Sequence, residues 1–181
     1  MMIENWQLLK ERKMLEAVPF NVLRRDYLRP DKKGEFNAFV LQMPDWVNII
    51  AYNAKNEVLL IRQFRFGSSN VELEIPGGCI EEGEEPLAAA KRELKEETGY
   101  EGDDWEFLGV VDSNPAVQTN KCYTFRCKVG EKGTTNFDEN EIIESEFVAK
   151  EKVRDFIRSG KITNTYIIAA FFWEALKDEL S

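Results

Sequence analysis

The stretch Gly78–Tyr100, GCIEEGEEPLAAAKRELKEETGY, joins a loop rich in glycine to a strongly charged helix. Pro86 suits the first turn of that helix, because proline needs no hydrogen-bond partner there, and Gly99 suits the position just after its end. Three apolar residues follow the i, i+3, i+7 spacing of a stripe that faces a core: Leu87, Ala90 and Leu94. The stretch therefore predicts one amphipathic helix that begins at Pro86.

Three glutamates of this helix, Glu93, Glu96 and Glu97, point to nearly the same side, because 3.6 residues make one turn. Like charges at this spacing repel one another, and a divalent cation would turn the repulsion into coordination. Carboxylates are hard oxygen ligands, so Mg²⁺ is the predicted ion, with Mn²⁺ as a substitute. Arg92 precedes the cluster and can reach Glu96, or the loop carboxylate of Glu84. The alternative is a solvated helix face with ion pairs between successive turns.

The composition of the chain excludes several classes of chemistry. Its 181 residues include 33 acidic and 24 basic side chains and no histidine, which gives a formal net charge of −9. Without histidine there is no Ser–His or Cys–His pair and no histidine-bound zinc. The acid surplus argues against a nucleic-acid partner, which would need a basic surface.

The apolar stretches, the first residues and the cysteines indicate where in the cell the protein is expected. The longest strongly apolar stretch, Tyr166–Trp173, is too short to span a bilayer, so we expect no membrane partner. The first residues carry charges and lack the apolar core of a signal peptide. The three cysteines, Cys79, Cys122 and Cys127, are odd in number and have no metal-like spacing. These features favour a reduced, cytoplasmic location.

The order of the predicted elements indicates an α+β fold. Residues 1–43 form extended segments, and a hairpin follows at Trp46–Tyr52 and Glu57–Arg65. The segment Glu74–Pro86 is predicted as a loop. Further strands and helices are predicted near residues 105–112, 122–129, 145–149, 152–160 and 164–180. Mixed strands with one helix in the middle and two at the end predict an α/β/α sandwich.

A family resemblance rests on the opening stretch. Nine residues match every specified position of the Nudix box, which is Gly, five residues, Glu, seven residues, Arg-Glu-apolar-any-Glu-Glu-any-Gly-apolar: Gly78, Glu84, Arg92, Glu93, Leu94, Glu96, Glu97, Gly99 and Tyr100. The segments PDWVNIIAY, LLIRQFRFG and ELEIPGG also resemble the branch of ADP-ribose and nucleoside diphosphate sugar pyrophosphatases. The resemblance covers nearly the whole chain.

This resemblance implies a Nudix fold, an α/β/α sandwich around a mixed β-sheet. Residues 1–43 would form an antiparallel β extension for dimerisation and base binding, and residues 44–181 the Nudix hydrolase domain. The implied activity is Mg²⁺-dependent hydrolysis of a nucleoside diphosphate sugar, of the ADP-ribose, ADP-glucose or GDP-mannose type. The products are a nucleoside monophosphate and a sugar phosphate.

The resemblance also implies roles for residues of the box. The metal-binding set would be Gly77, through its backbone carbonyl, with Glu93, Glu96 and Glu97. The structural set would be Gly78, Glu84 and Arg92. With no histidine, the general base must be a carboxylate. By resemblance it lies in the acidic loop after the box, with Glu139 as the favoured base and Glu141 as a metal ligand, although each could equally be a solvated loop acid.

Substrate contacts are implied outside the box. Arg65 and Arg25 match arginines that bind the substrate phosphates, for which a bidentate guanidinium is suited. Surface salt bridges are the alternative for both. Trp6 and Phe20 lie where this branch sandwiches the base, on N-terminal strands exchanged between the subunits of a homodimer, or they could belong to the core. Pro115 lies at a spacing associated with ADP-ribose-type substrates.

The segment SNPAVQTN around Pro115 departs from the usual loop of ADP-ribose enzymes, which favours a broader specificity or a different nucleoside diphosphate sugar.

Two other functions compete with this interpretation. A non-catalytic Nudix module that senses ADP-ribose or a nucleoside diphosphate sugar is one alternative, but here every acidic ligand position is filled. An RNA-cap or dinucleoside polyphosphate pyrophosphatase is the other, and the absence of a basic RNA track argues against it.

Overall fold

The computed structural model describes residues 4–133 and 142–179. The chain divides into two compact units, one formed by residues 1–44 and 112–121, the other by residues 45–111 and 122–181. The division at residues 43 and 44 that we expect from the sequence stays a prediction. No helix among the described residues has the length and apolar character needed to cross a membrane.

The first unit is built on an antiparallel sheet of three strands, in the order β1 (Gln7–Glu16), β2 (Asn21–Leu28) and β3 (Glu35–Gln42). Strand β1 lies at the edge of this sheet and is exposed along its whole length. Asp26, on the central strand, is buried and accepts hydrogen bonds from Arg12 and Arg24 at 2.8 and 2.9 Å.

The second unit is a mixed sheet flanked by helices. Its strands are β4 (Trp46–Tyr52), β5 (Glu57–Arg65), β6 (Asn70–Glu74), β7 (Gly77–Cys79), β8 (Tyr100–Asp112), β9 (Lys121–Lys132) and β10 (Ile143–Ala149). Its helices are α1 (Pro86–Thr98), α2 (Lys150–Arg158) and α3 (Thr165–Glu179). Strand β4 runs parallel to β9 and antiparallel to β5 and β7, which makes the sheet mixed.

The central strand β4 distributes its side chains between two cores, because successive residues of a strand point to opposite faces. One cluster contains Val47, Ile49 and Ala51 of β4 with Ala89, Ala90 and Leu94 of α1. The other contains Ile50 and Tyr52 of β4 with Val153, Ile167 and Ala170 of the two C-terminal helices. Helix α1 thus covers one face and α2 and α3 the other, and the predicted α/β/α sandwich is confirmed.

Helix α1 begins at Pro86 and ends at Thr98, as the sequence predicts. Gly99 follows with a φ of 75°, a conformation that glycine adopts without steric cost, and its N–H donates to the carbonyl of Lys95 at 2.8 Å. The predicted apolar stripe is wrong at Leu87, which is 38% exposed. Leu87 lies in the first turn, at the rim of the buried face that Ala90 continues.

The segment Glu74–Pro86, predicted as a loop, contains the short strand β7. Its pairing with β4 runs from Trp46 opposite Cys79 to Asn48 opposite Gly77. This added strand brings the start of the box to the sheet and to helix α1.

Candidate active site

Glu97 is held at strand β7. The backbone N–H of Gly77 donates to Oε2 of Glu97 at 2.9 Å, and the Glu97 side chain is almost completely buried, with 3% of the residue exposed. A Cβ at position 77 would overlap the carbonyl oxygen of Val47 on β4. Only glycine therefore allows β7 to approach β4 closely enough to bring its N–H to Glu97.

Glu93, one turn earlier on α1, lies against the next residue of the same strand. A Cβ at position 78 would come within 2.5 Å of the carboxyl carbon of Glu93. Glu93 and Glu97 thus direct their carboxylates at two consecutive glycines, Gly78 and Gly77. The two glutamates lie on one face of α1 because they are four residues apart, and the short strand β7 lies against that face.

Arg92 connects the helix to the preceding loop. It donates to both carboxylate oxygens of Glu84, at 3.0 and 2.9 Å, and to the carbonyl of Cys79 at 2.9 Å. Its Nη1 also donates to Glu93 at 2.9 Å and to Glu96 at 3.1 Å. The hydrogen bonds from Arg92 lower the pKa of Glu84. The contacts of Arg92 with Glu84 and Glu96 that the sequence predicts are therefore present.

The donor atoms of these residues are of the kind that binds a metal ion. Within residues 4–133 and 142–179, no three acidic or thiol side chains stand arranged as a complete metal site. The donors of α1 are nevertheless all hard oxygens, and Glu93 and Glu96 already share one cationic nitrogen of Arg92. Carboxylates that gather round a guanidinium can also gather round a divalent cation, so the donor set fits one.

Arg65, at the end of β5, is paired with a buried carboxylate. Its Nε and Nη2 donate to Oε2 of Glu74 at 3.0 and 2.6 Å. The other oxygen of Glu74 accepts from Nδ2 of Asn164 at 2.9 Å. Sequence reasoning missed Glu74 and Asn164. The available signal was an acid between apolar residues in LEIPGG, because a buried carboxylate is rarely left without partners.

A small cleft adjoins this pair. It has room for about one water-sized group, a volume of about 20 Å³. Residues of β4, of the Arg65–Glu74 pair, of β7 and of the start of α3 line it, among them Asn48, Gly77, Asn164 and Tyr166. The structure thus gathers Arg65 and Gly77 of the predicted site around one cleft.

Three other predicted substrate residues lie in the first unit. Arg25, on β2, donates from Nε to Glu11 at 2.6 Å, and this hydrogen bond raises its pKa. Trp6 precedes β1, is 44% exposed, and packs edge-on against Phe36 with ring centroids 6.1 Å apart. Phe20 precedes β2 and is half-buried.

The last predicted residues are Pro115, Glu139 and Glu141. Pro115 is exposed in a turn of the first unit, closed by the N–H of Gln118 donating to the carbonyl of Asn114 at 2.7 Å. Glu139 and Glu141 lie outside the described residues. Their predicted roles stay predictions.

Comparisons with known proteins show which family the chain belongs to. The NUDIX domain family matches residues 44–171. The chain is 27% identical over 145 residues to an ADP-ribose pyrophosphatase of Bacillus subtilis (strain 168). The aligned region covers 78% of this chain and 77% of that protein. It is 27% identical over 143 residues to a methanol dehydrogenase activator of Bacillus methanolicus, with 78% and 77% covered.

The fold also matches a solved structure. A crystal structure of an ADP compounds hydrolase superposes with a TM-score of 0.83 at 22% identity, and the match covers 99% of this chain and 98% of that chain. The matched family domain contains α1 and β7, with the complete box between Gly78 and Tyr100. The chain therefore belongs to the Nudix hydrolase family and is similar to the ADP-ribose pyrophosphatases.

Proposed function

We propose that this protein is a Mg²⁺-dependent pyrophosphatase that cleaves a nucleoside diphosphate sugar into a nucleoside monophosphate and a sugar phosphate. The observation that carries the proposal is the convergence of Glu93 and Glu97 on the consecutive glycines of β7. Relatives named ADP-ribose pyrophosphatase support the substrate class. ADP-ribose, ADP-glucose and GDP-mannose are the candidate types.

Nudix hydrolases generally use divalent metal ions. In this proposal Glu93, Glu96, Glu97 and the carbonyl of Gly77 hold Mg²⁺, and Mn²⁺ can replace it. The bound ion neutralises phosphate charge and lowers the pKa of a water nucleophile. The hydrogen bond from the Gly77 N–H fixes one oxygen of Glu97. Because the carboxylate is planar and rigid, this bond also limits where the other oxygen can point.

The general base in this proposal is Glu139, with Glu141 as a metal ligand or second base. The chain has no histidine, so we propose a carboxylate as the group that takes the proton from water. Glu139→Gln and Glu141→Gln should be compared at saturating Mg²⁺. We expect kcat to fall by about 100-fold or more in at least one variant. Losses of only a few fold in both would remove the acidic loop from catalysis.

Substrate binding is assigned in the proposal to Arg65 and Arg25 for the phosphates and to Trp6 and Phe20 for the base. A guanidinium binds phosphate oxygens through two parallel hydrogen bonds, and the exposed indole of Trp6 offers a flat apolar face. Pro115 is a further proposed substrate contact. Its loop sequence favours several nucleoside diphosphate sugars over strict ADP-ribose specificity.

We further propose a homodimer in which β1 and the strands beside it are exchanged. Strand β1 is an edge strand that exposes four apolar side chains, those of Leu8, Leu9, Met14 and Leu15. An uncovered edge strand with apolar side chains favours association. The occupant we propose is a second copy of this chain. Solution mass by light scattering tests this, and a strict monomer at micromolar concentration would contradict it.

The cytoplasm remains the proposed location. All three cysteines are free thiols, and burial raises the pKa of Cys122 and Cys127 to about 12. Buried thiols with a raised pKa stay protonated and react slowly, and free thiols support a reducing compartment.

A substrate panel tests the proposed activity. ADP-ribose, ADP-glucose, GDP-mannose, UDP-glucose, coenzyme A and diadenosine polyphosphate are each incubated with Mg²⁺, with Mn²⁺ and with EDTA, and monophosphate release is measured. We expect nucleoside diphosphate sugars to be cleaved and EDTA to abolish turnover. Binding of these compounds without hydrolysis would indicate the sensor function instead. Preference for diadenosine polyphosphate would contradict the proposed substrate class.

A further inference from the structure

The carboxylate of Glu74 is enclosed by two hydrogen-bond donors on different elements. Glu74 is 3% exposed; its Oε2 accepts from Nε and Nη2 of Arg65 at 3.0 and 2.6 Å, and its Oε1 accepts from Nδ2 of Asn164 at 2.9 Å. Each donor therefore occupies one oxygen. Burial strengthens these charge-assisted bonds because little water competes for them.

Asn164 is itself fixed by the start of α3. Its Oδ1 accepts from the N–H of Tyr166 at 3.0 Å, which satisfies one of the unpaired donors of the first helical turn. The carbonyl of Tyr166 accepts from Nδ2 of Asn48 at 3.1 Å. Asn48 lies opposite Gly77 in the pairing of β4 with β7. The Arg65 guanidinium is thus connected through α3 to the strand that holds Glu97.

We propose that Asn164 and Glu74 are positioning residues that hold the Arg65 guanidinium in the orientation that receives the substrate diphosphate. This inference rests on the proposed phosphate-binding role of Arg65. A guanidinium and a carboxylate prefer a fork in which two nitrogens meet two oxygens. Arg65 donates to Oε2, and Asn164 holds the Oε1 side of the same carboxylate. Loss of the Asn164 donor lets Arg65 rotate onto both oxygens, away from its binding orientation.

Asn164→Ser separates positioning from helix capping. Serine keeps an oxygen that caps the N–H of Tyr166 but is too short to reach Glu74. We expect KM for the preferred nucleoside diphosphate sugar to rise about fivefold, the effect of one lost hydrogen bond, with kcat within about twofold. The Kd of ADP, measured by calorimetry, should rise by the same factor. Asn164→Thr, which also caps, is the second variant if the serine variant does not fold.

Asn53→Ser is the matched control. Asn53 is also half-buried, donates from Nδ2 to Glu57 at 2.7 Å and accepts backbone N–H groups of Lys55 and Glu57 at 2.9 Å, but it lies at the other end of β4. Like Asn164→Ser, the Asn53→Ser variant therefore removes an asparagine–glutamate hydrogen bond and keeps a side-chain oxygen near backbone N–H groups. We expect KM and the Kd of ADP to stay at their wild-type values in this variant.

A double-mutant cycle decides whether Asn164 acts through Arg65. Arg65→Ala should weaken ADP binding, and adding Asn164→Ser should then have no further effect. Independent effects that add would overturn the proposal, as would unchanged KM and Kd in folded Asn164→Ser, or no effect of Arg65→Ala. If the wild type cleaves no member of the panel, the proposed function fails, and the cycle on the Kd of ADP still decides the positioning role.

Discussion

Glu97 combines a hydrogen bond that fixes its position with a proposed role in metal binding. Its carboxylate is almost fully buried, where an ionised group is costly unless hydrogen bonds or a cation compensate it. The Gly77 N–H supplies one hydrogen bond, at 2.9 Å. The proposed Mg²⁺ supplies the cation. The residue therefore has a structural contact that an amide would keep and a proposed metal contact that an amide would weaken.

Glu97→Gln separates these two contacts. The amide oxygen of glutamine still accepts from Gly77, so we expect the melting temperature to stay within a few degrees of wild type. We expect kcat to fall by about 100-fold or more, because a neutral amide oxygen is a poor ligand for Mg²⁺. Glu101→Gln is the control, since Glu101 is an exposed glutamate paired with Lys95. Near-normal hydrolysis by purified Glu97→Gln would contradict the proposed metal site.

At the scale of elements, the site depends on the junction of β7 with α1. Two adjacent glycines of β7 face different neighbours. A Cβ at Gly77 would meet the backbone of Val47, whereas a Cβ at Gly78 would meet the carboxylate end of the Glu93 side chain. The two positions therefore respond differently to the same substitution.

Gly77→Ala and Gly78→Ala test this junction as a pair. Gly77→Ala should lower the free energy of unfolding by about 2 kcal/mol, because the rigid backbone of β4 cannot yield without loss of packing. Gly78→Ala should fold with nearly wild-type stability but bind Mg²⁺ at least about tenfold more weakly, because Glu93 must move. Urea unfolding and calorimetric Mg²⁺ titration measure both. Equal stability of the two variants would contradict this difference.

At the scale of the larger unit, a second charged network lies at the opposite end of β4 from the site. Glu174 of α3 is 1% exposed, accepts from the Tyr52 hydroxyl at 2.7 Å and pairs with Lys150 Nζ at 3.0 Å. Arg126 of β9 lies 3.7 Å from the same carboxylate and 2.7 Å from Asp178. The network joins α3 to the sheet and to the start of α2, and it borders a cavity of about 570 Å³.

Lys150→Met should destabilise this unit by about 3 kcal/mol, because it removes the nearest cation from a buried carboxylate. The double variant Lys150→Met/Glu174→Gln should be more stable than Lys150→Met alone, since no unpaired buried charge remains and Tyr52 keeps an acceptor. Urea unfolding at pH 7 measures both. Turnover should change little in the folded fraction, and additive losses in the double variant would contradict the pairing.

Local spacing was enough to predict the contacts within α1 and with the loop just before it. The bounds of α1, its left-handed end at Gly99 and the reach of Arg92 to Glu84 and Glu96 all follow, because spacings of four or eight residues across a helix start leave few geometries. The core stripe was predictable at Ala90 and not at Leu87. How far the first turn is covered depends on the elements packed above it.

Contacts between distant segments could not be predicted from the sequence, because they depend on how the strands and helices pack. Asn164 and Glu74 are 90 residues apart, and Tyr52 and Glu174 are 122 apart. Strand order and register bring such pairs together, and many registers of the strands are compatible with one apolar pattern. The partners of buried charges therefore follow from the packed sheet, whereas the box at Gly78–Tyr100 is recognised from local spacing alone.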